Sequence, residues 1–321
     1  MADLGAQMSG GFGVRVNAAL GRLLEALKAR GYRFTVPTPE THARVVARPE
    51  RQRARNLADV LGWNLPFQPG LLDPDLSALL DEAGVLVEAA GGRRSAIRVA
   101  SLGEDLYLHS GFPPQRESVF FGPDTYRFAN FLNGKLGAAD EASVLVDLGA
   151  GAGAGAVVAA RQVSTTQIIL TDINPRALEF ARINLACAGV EAEFRCGRGL
   201  DPVSEPADLI IANPPFIAGD DGRTYSDGGD LHGARMSLDW AMAGAARLTG
   251  GGRMLLYTGV AIIGGVDPLF GALRSQLDAA RFELDYAEID PDIFGETLEL
   301  EAYRDVERIA AVGAVITRRA S

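Results

Sequence analysis

The segment 144–153 constrains the fold more than any other part of the chain. It begins with the apolar run Val144-Leu145-Val146-Asp147-Leu148 and continues with glycine at every second position, 149, 151 and 153. An apolar run of this kind is typical of a parallel strand that is buried on both faces. Glycines directly after a strand allow a sharp turn and a close approach of the backbone to a ligand. The segment therefore predicts an α/β fold with a ligand at the end of this strand.

Two further strand patterns follow, and each ends in polar residues. The run 167–172 ends in Asp172, about 20 residues after the glycines, where an acid takes the ribose hydroxyls of a bound nucleoside. The run 208–212 leads directly into the tetrapeptide Asn213-Pro214-Pro215-Phe216. Because glycines and an acid are common to doubly wound nucleotide sites, the tetrapeptide decides between the functions that such a site serves.

The tetrapeptide has the chemistry of a slot for an amino or amide group. Two consecutive prolines fix φ twice and remove two N–H donors, so the carbonyl of Pro214 is presented without a competing donor. Asn213 adds an amide oxygen, and Phe216 adds a flat face. Such a slot accepts hydrogen bonds from an –NH2 group and stacks against the planar group that bears it. The alternative is a simple turn at the end of a strand, with Phe216 in the core.

These three motifs resemble those of class I S-adenosylmethionine (SAM) methyltransferases that modify amino groups. The resemblance is to the small-domain group, which contains the glutamine methyltransferases of release factors and ribosomal protein and the rRNA guanine-N2 methyltransferases. It covers about residues 118–265. It implies a Rossmann-like, seven-stranded SAM methyltransferase fold, SAM as cofactor, and methyl transfer to an amino or amide nitrogen of a protein glutamine or a nucleobase.

The resemblance also implies roles for particular residues. Catalysis falls to Asn213, Pro214, Pro215 and Phe216. Relatives often carry an acid that touches the adenine before the catalytic strand, whereas here the segment 196–201 ends in Asp201. Either Asp201 contacts the adenine from a shifted position or the backbone alone holds it. The full set of predicted cofactor-binding residues is Asp147, Gly149, Ala150, Gly151, Gly153, Asp172, Ile173, Asp201 and Asn213.

Candidate substrate contacts come from two segments beside the motifs. The stretch 217–233 is rich in Gly and Asp without periodicity, and a loop of this length is usually functional, so we predict a lid over the substrate. Its candidate contacts are Tyr225, Asp227 and His232. Related methyltransferases place a helix over the SAM pocket where this chain has its aromatic segment 120–128, which contributes Tyr126 as a further candidate.

The length of 321 residues suits two domains. Residues 1–13 are predicted to be a disordered start, residues 14–112 an N-terminal α/β, winged-helix-like domain, and residues 118–321 the methyltransferase domain. The N-terminal pattern is one of helices followed by short strands around 91–94, one of them at 85–87. Two readings of this domain stay open: it presents the substrate, or it is a structural or dimerising cap.

Charge is unevenly distributed between the two halves. Residues 1–140 hold 16 Lys and Arg against 15 Asp and Glu, whereas residues 141–321 hold 15 against 26. An acidic catalytic domain repels a phosphate backbone, which disfavours long duplex substrates. Five arginines between positions 44 and 55 indicate either contact with an acidic partner or RNA, or a solvated face with some ion pairs. They are Arg44, Arg48, Arg51, Arg53 and Arg55.

The remaining composition bears on partners and location. The three histidines show no ligand spacing, so no metal is predicted, and Cys187 and Cys196 are expected to be buried thiols without a disulfide. No apolar run approaches the ~20 residues of a membrane span and no signal-peptide pattern begins the chain, which predicts no membrane and a cytoplasmic location. A homodimer is left open.

Three alternative functions remain from the sequence. Among methyltransferases, the acceptor could instead be a small metabolite or natural product. A nicotinamide (NAD) oxidoreductase would also use glycines and an acid, but it has no use for the tetrapeptide 213–216. The third alternative is a non-catalytic winged-helix binding protein with a relict SAM fold, against which the intact motifs argue.

Overall fold

The structure is a computed structural model that describes residues 13–115, 117–217 and 232–320. Tyr225, Asp227 and all but the last residue of the predicted disordered start lie outside these ranges. The chain divides into two compact units. The first comprises Met1–Arg127, Gly151–Ala154 and Pro175–Glu191, and the second comprises Phe128–Ala150, Gly155–Asn174 and Ala192–Ser321.

Helices and strands alternate through most of the chain. The helices are α1 (Val14–Ala29), α2 (Pro39–Val46), α3 (Leu57–Leu61), α4 (Pro74–Glu82), α5 (Pro123–Lys135), α6 (Ala154–Gln162), α7 (Pro175–Ala188), α8 (Arg235–Arg247) and α9 (Pro268–Gln276). The strands are β1 (Leu86–Ala89), β2 (Gly92–Ser95), β3 (Ile97–Leu102), β4 (Asp105–Ser110), β5 (Glu141–Leu148), β6 (Ser164–Asp172), β7 (Glu193–Cys196), β8 (Ala207–Ala212), β9 (Leu248–Ile262), β10 (Phe282–Asp290) and β11 (Arg308–Arg318).

The first unit contains helices α1 to α4, two hairpins and helix α7. The apolar side of α1 is fully buried through Leu20, Leu23, Leu24 and Leu27. One hairpin pairs β1 with β2 and the other pairs β3 with β4, both antiparallel. The sequence had placed positions 91–94 in the turn between strands. Positions 92–94 lie in β2 instead, because the turn closes at positions 90 and 91, where Gly91 has a φ of 93°.

The second unit is built on a large sheet, and its topology confirms the predicted fold. Within the described residues this sheet has seven strands in the order β10-β11-β9-β8-β5-β6-β7. Strand β11 runs antiparallel to both of its neighbours, and the pairs among β5 to β9 are parallel. The predicted Rossmann-like, mostly parallel sheet is therefore present. The inner strands β5, β8, β9 and β11 are largely buried, as expected where helices cover both faces of a sheet, whereas the edge strands β7 and β10 contain no buried residue.

The register of the central strands positions the three motifs. Leu148 is the register partner of Thr171 in β6 and of Ala212 in β8, so these strands end at the same level. From β5 the chain continues to β6 and β7 on one side and returns to β8 on the other. The carboxyl ends of β5 and β8 thus form the point where strand order reverses, which is where ligands bind in open α/β sheets.

No helix within the described ranges is both long and apolar enough to cross a membrane.

Candidate active site

The glycine turn follows β5 and is held to the end of β6. The backbone N–H groups of Gly149 and Ala150 both donate to the carbonyl oxygen of Thr171, at N···O distances of 2.9 Å. Gly149 and Gly151 have φ of 70° and 53°, values that L side chains rarely adopt. No described atom lies within 4 Å of a Cβ built on Gly151. A ligand therefore has room to approach the backbone of the turn at this residue.

Asp147 is buried below the turn and caps the following helix. Asp147 is 2% exposed. Its Oδ2 accepts a hydrogen bond, at 2.8 Å, from the N–H of Ala156 in the first turn of α6. Burial raises the pKa of this carboxyl to about 7, and the charge of Asp172 adds to the rise, whereas the Ala156 hydrogen bond opposes it. Asp147 thus binds the helix that starts after the turn.

The end of β6 offers a carboxylate beside exposed apolar surface. Asp172 is half-buried, and its Oδ1 accepts a hydrogen bond from the N–H of Asn174 at 2.8 Å. The next residue, Ile173, is 49% exposed, which is unusual for a side chain of this size. A carboxylate for ribose hydroxyls next to an apolar surface for a base matches the two halves of a nucleoside.

The loop after β7 contains the predicted adenine contact. Asp201 is exposed, and its N–H donates to the carbonyl of Arg198 at 3.0 Å in a tight turn. The N–H of Gly197 donates to the carbonyl of Asp172 at 3.0 Å, which joins this loop to the end of β6. These contacts are compatible with both predicted alternatives: the Asp201 carboxylate contacts the adenine from a shifted position, or the backbone alone holds it.

The cysteines near these strands differ from the prediction in their exposure. Both Cys187 and Cys196 are free thiols, as predicted. Neither is buried, however: Cys187 is half-buried and Cys196 is exposed. Cys196 is the last residue of β7, which is an edge strand of the sheet and has a neighbour on one side only. The sequence pattern does not show which strand lies at an edge.

The tetrapeptide follows β8 and combines an accessible amide with a buried ring. Asn213 and Pro215 are half-buried, and Pro214 is buried. Phe216 is 8% exposed and packs edge-on against Phe294, with 5.4 Å between ring centroids. A Cβ on Gly259 would overlap the Phe216 ring. Asn213 and the Pro214 carbonyl therefore stand at the end of β8, where the slot was predicted. The ring of Phe216 is instead packed within the second unit.

The two described substrate candidates have partners in different units. In the second unit, His232 Nε2 lies 3.1 Å from Asp305 Oδ1, and the Tyr303 hydroxyl donates to the His232 carbonyl at 3.1 Å. In the first unit, the Tyr126 hydroxyl accepts a hydrogen bond from the N–H of Val36 at 3.0 Å. Each side chain is thus held by its own unit.

Trp240 in α8 touches the site and was missed by the sequence analysis. A Cβ on Gly149 would lie 2.5 Å from Cη2 of its indole, so the ring packs directly on the turn. A Cβ on Gly199, in the loop after β7, would lie 3.8 Å from its Nε1. An aromatic residue in an amphipathic helix is most often part of the core, and no pattern in the sequence distinguishes this one.

Asn184 in α7 supports the glycine turn and was also missed. It is fully buried, and its Oδ1 accepts a hydrogen bond from the N–H of Leu108 in β4 at 2.8 Å. Its Nδ2 donates to the carbonyls of Leu108 at 3.2 Å and Ala152 at 2.9 Å. A polar residue on the apolar face of a helix is a signal for such a role, because buried amides are almost always hydrogen-bonded.

Within the described ranges, no group of three or more His, Cys, Asp or Glu side chains could hold a metal ion. The residues at the sheet edge do fit SAM. In the second unit, the turn at Gly149 and Ala150 is hydrogen-bonded to the end of β6, the carboxylate of Asp172 suits ribose hydroxyls, and Ile173 offers apolar surface to a base. Bound there, SAM would supply a methyl group that its sulfonium already activates.

Comparison with known proteins identifies the family. The family model described as "Methyltransferase small domain" matches residues 126–227. The release factor glutamine methyltransferase of Cereibacter sphaeroides is 30% identical over 228 residues, which are 65% of this chain and 80% of that protein. The chain belongs to the small-domain methyltransferases. It is therefore a SAM-dependent methyltransferase, as the resemblance predicted, and family membership decides against the oxidoreductase and the non-catalytic binding protein.

A further curated relative matches a shorter stretch, and a solved structure matches at lower identity. The ribosomal RNA small subunit methyltransferase C of Stutzerimonas stutzeri is 37% identical over 75 residues, which are 23% of each chain. Among solved structures, the T. thermophilus 16S rRNA N2 G1207 methyltransferase in complex with AdoMet and guanosine is 16% identical. It superposes with a TM-score of 0.44 and covers 76% of this chain and 61% of that one.

Proposed function

We propose that this methyltransferase transfers the methyl group of SAM to the –NH2 nitrogen of a protein glutamine or a nucleobase held at the tetrapeptide 213–216. The register of β5, β6 and β8 carries the proposal, because it sets Gly149, Asp172 and Asn213 at the same edge of the sheet. A cofactor bound at Gly149 and Asp172 then lies next to an acceptor bound at Asn213. The named relatives that act on a release factor glutamine and on ribosomal RNA support the two acceptor classes.

The tetrapeptide acts by orienting the acceptor nitrogen. The Oδ1 of Asn213 and the carbonyl oxygen of Pro214 accept hydrogen bonds from the –NH2 group and direct the nitrogen lone pair at the methyl group. Holding reactants in this geometry contributes roughly 7–11 kcal/mol to lowering a barrier. As the nitrogen becomes positive, the same two oxygens bind it more strongly than in the ground state, which is the condition for catalysis. Pro215 is half-buried beside these oxygens, whereas the buried ring of Phe216 packs against Phe294 and supports the strand end.

Proton removal needs no strong base in this scheme. The nitrogen loses its proton after methyl transfer, when it is positively charged and acidic. His232 is the described candidate for a weak acceptor, and its Nε2 lies 3.1 Å from Asp305 Oδ1. Asp227 and Tyr225 stay predicted substrate contacts outside the described ranges, and Tyr126 stays one in the first unit.

Charge on the first unit supports an acidic or RNA partner. Of the five arginines between positions 44 and 55, only Arg51 pairs with an acid among the described residues, through Asp59 at 2.8 Å. Arg44, Arg48, Arg53 and Arg55 are exposed. One ion pair and four exposed arginines fit both readings, and the exposed four are available to an acidic or RNA partner. We propose that residues 14–112 present the acceptor to residues 118–321, and that the protein works in the cytoplasm, where release factors and ribosomal RNA are found. A homodimer stays a prediction.

Single-turnover methyl transfer alongside SAM titration tests the proposed function. Asn213→Ala should leave the SAM dissociation constant nearly unchanged and lower the transfer rate by about 10²–10³, by analogy with the loss of an oxyanion-hole donor. Asn213→Asp keeps an acceptor oxygen and should retain part of the rate. Asn133→Ala removes an exposed amide from α5 and serves as the control with wild-type turnover. A wild-type rate in Asn213→Ala would reduce the tetrapeptide to a turn.

Tritiated methyl transfer to a cell extract distinguishes the acceptor classes. The extract is separated into protein, RNA and small-molecule fractions after reaction. Label in the protein fraction that acid hydrolysis releases as methylamine identifies the glutamine reading, and label in RNA as an N-methylated base identifies the nucleobase reading. Label in a small-molecule product other than unreacted SAM, with none in protein or RNA, would contradict both and support the metabolite alternative.

A further inference from the structure

The indole of Trp240 spans two loops at the edge of the large sheet. Its six-membered ring packs on Gly149, where a Cβ would lie 2.5 Å from Cη2 and 2.9 Å from Cζ3. Its five-membered ring faces Gly199, where a Cβ would lie 3.8 Å from Nε1. The side chain is half-buried and also packs against the hydrophobic core of the second unit. One rigid ring therefore connects the glycine turn after β5 with the loop after β7.

The indole N–H of Trp240 is a hydrogen-bond donor between the glycine turn and the loop after β7. No described residue accepts a hydrogen bond from Trp240 Nε1, and the atom is not among the buried atoms without a partner. A tryptophan N–H that is buried usually has a partner, and one left at an accessible surface is available to a ligand. The ring face and the N–H together suit a planar heterocycle with ring nitrogens that accept hydrogen bonds.

The strand order tells which end of the cofactor lies near Trp240. Along the edge of the sheet the strands run β8, β5, β6, β7. The reacting methyl must lie near Asn213 after β8, and the ribose lies near Asp172 after β6. The base continues in the same direction, toward the loop after β7 that contains Gly199. Since Nε1 faces Gly199, the indole lies at the adenosine end and away from the amino-acid end.

We propose that Trp240 is a cofactor-binding residue that forms one wall of the adenosine site. It contacts the adenine with its indole and holds Gly149 in place through direct packing. The inference rests on SAM as the cofactor and deepens the proposed function by naming a residue that recognises the base. Ile173, which is exposed next to Asp172, provides apolar surface at the same end.

Intrinsic fluorescence tests the contact without altering Trp240. The chain has two tryptophans, at positions 63 and 240, so Trp63→Phe leaves Trp240 as the only tryptophan, whose emission selective excitation separates from that of the tyrosines. S-adenosylhomocysteine and 5′-methylthioadenosine, which both carry adenosine, should change its emission in a saturable way. Methionine, which carries only the amino-acid end, should not. The reciprocal variant Trp240→Phe leaves Trp63, whose emission should not respond to any of the three compounds.

Calorimetric titration of S-adenosylhomocysteine measures what the indole contributes. Removal of an aromatic ring that stacks on a base should weaken binding about 5- to 150-fold in Trp240→Ala. Trp240→Phe keeps a ring and loses the N–H, and it should weaken binding by less than Trp240→Ala. Met242→Ala is the matched control, because Met242 is a half-buried residue of the same helix that packs against the same core. It should lower stability without changing the affinity.

The outcomes separate this inference from the assignment of the cofactor. If the wild-type protein fails to bind S-adenosylhomocysteine, SAM as cofactor is wrong and the inference falls with it. If the wild type binds and the emission of Trp240 does not change, SAM stands and Trp240 lies outside the site. A response to methionine but not to 5′-methylthioadenosine would also overturn the inference, since it places the indole at the amino-acid end. The fluorescence experiment tests the contact between Trp240 and adenosine even if Trp240→Ala does not fold.

Discussion

The carboxyl of Asp147 illustrates how one buried group links stability to pH. Its pKa is raised to about 7 by burial, with a smaller contribution from the charge of Asp172. Near pH 4 the group is protonated in the folded protein and begins to ionise in the unfolded chain. Between pH 4 and 7 the unfolded chain therefore holds fewer protons than the folded protein. The free energy of unfolding must then fall as pH rises through this window and level off above it.

We expect Asp147→Asn to remove this pH dependence. The asparagine Oδ1 can still accept the hydrogen bond from the N–H of Ala156, and no charge is buried. Relative to the wild type, the variant should gain stability between pH 4 and pH 8, by at most about 4 kcal/mol for a shift of about three units. Urea unfolding of both proteins at pH 4, 6 and 8 measures the difference. Parallel pH profiles would show that Asp147 ionises normally.

Asp172 is the residue on which cofactor affinity depends most directly. Its Oδ1 accepts the N–H of Asn174, and the carboxylate can also accept ribose hydroxyls. Charge-assisted hydrogen bonds are worth about 1.5–3 kcal/mol each. Asp172→Ala should weaken SAM by one to several powers of ten if two such bonds form.

Asp290→Ala is a matched control for this measurement. Asp290 also ends a strand, β10, and its Oδ1 accepts the N–H of Asp292 at 3.2 Å. The two variants lose the same kind of turn at different strand ends, and only Asp172→Ala should change the SAM dissociation constant by calorimetry. Equal affinities in the two variants would refute the role of Asp172.

At the scale of the element, two glycines of the same turn have different surroundings: Gly153 packs against a helix, and Gly151 faces open space. A Cβ on Gly153 would lie 2.5 Å from Leu185 Cδ1 and 3.1 Å from Ala181 Cβ, both in α7. No described atom lies within 4 Å of a Cβ on Gly151. Both glycines have positive φ, so alanine carries a similar backbone cost at each, roughly 1–2 kcal/mol.

Gly153→Ala should therefore lose more stability than Gly151→Ala, because overpacking adds about 1–3 kcal/mol. Gly151→Ala should lose more SAM affinity relative to its loss of stability, because its methyl group takes space that a ligand needs. Thermal unfolding and SAM titration of both variants provide the comparison. If Gly151→Ala bound SAM as tightly as the wild type, the space beside this residue would not be the cofactor's.

At the scale of the whole molecule, charge distinguishes two kinds of arginine on the first unit. Arg22, Arg30 and Arg33 are each paired with an acid, Glu82, Asp75 and Glu104 respectively, at 2.5–2.6 Å. Arg44, Arg48 and Arg53 are exposed and have no such pair within the described ranges. An arginine without an acid neighbour is available to a phosphate or a carboxylate of a partner.

Reversing the charge of Arg44, Arg48 and Arg53 to glutamate should raise the KM for the natural acceptor and leave the SAM affinity unchanged. With RNA as acceptor, the salt dependence of binding should also become weaker, because fewer counterions are released. The same reversal at Arg22, Arg30 and Arg33 is the control and should act on stability more than on KM. An unchanged KM in the first variant would leave these arginines as a solvated face.

The strands and the chemistry at their ends followed from local patterns. A buried parallel strand has a distinctive run of apolar residues, and glycine, aspartate and the tetrapeptide 213–216 stand directly after such runs. Because the carboxyl ends of parallel strands share one edge of a sheet, these motifs had to be neighbours once the fold class was known. For this reason the fold class and a ligand site at the strand ends could be predicted from the residues, and the resemblance of the three motifs predicted the family and SAM.

Contacts between distant parts of the chain could be decided only by the tertiary structure. Trp240 reaches Gly149 across about 90 positions, and Asn184 joins Leu108 and Ala152 through hydrogen bonds that no local pattern encodes. Burial depends on the same packing: Phe216 is enclosed by Phe294, and Cys196 is exposed because β7 lies at an edge. Sequence periodicity reports which face of an element is apolar, and it contains no record of what that face meets.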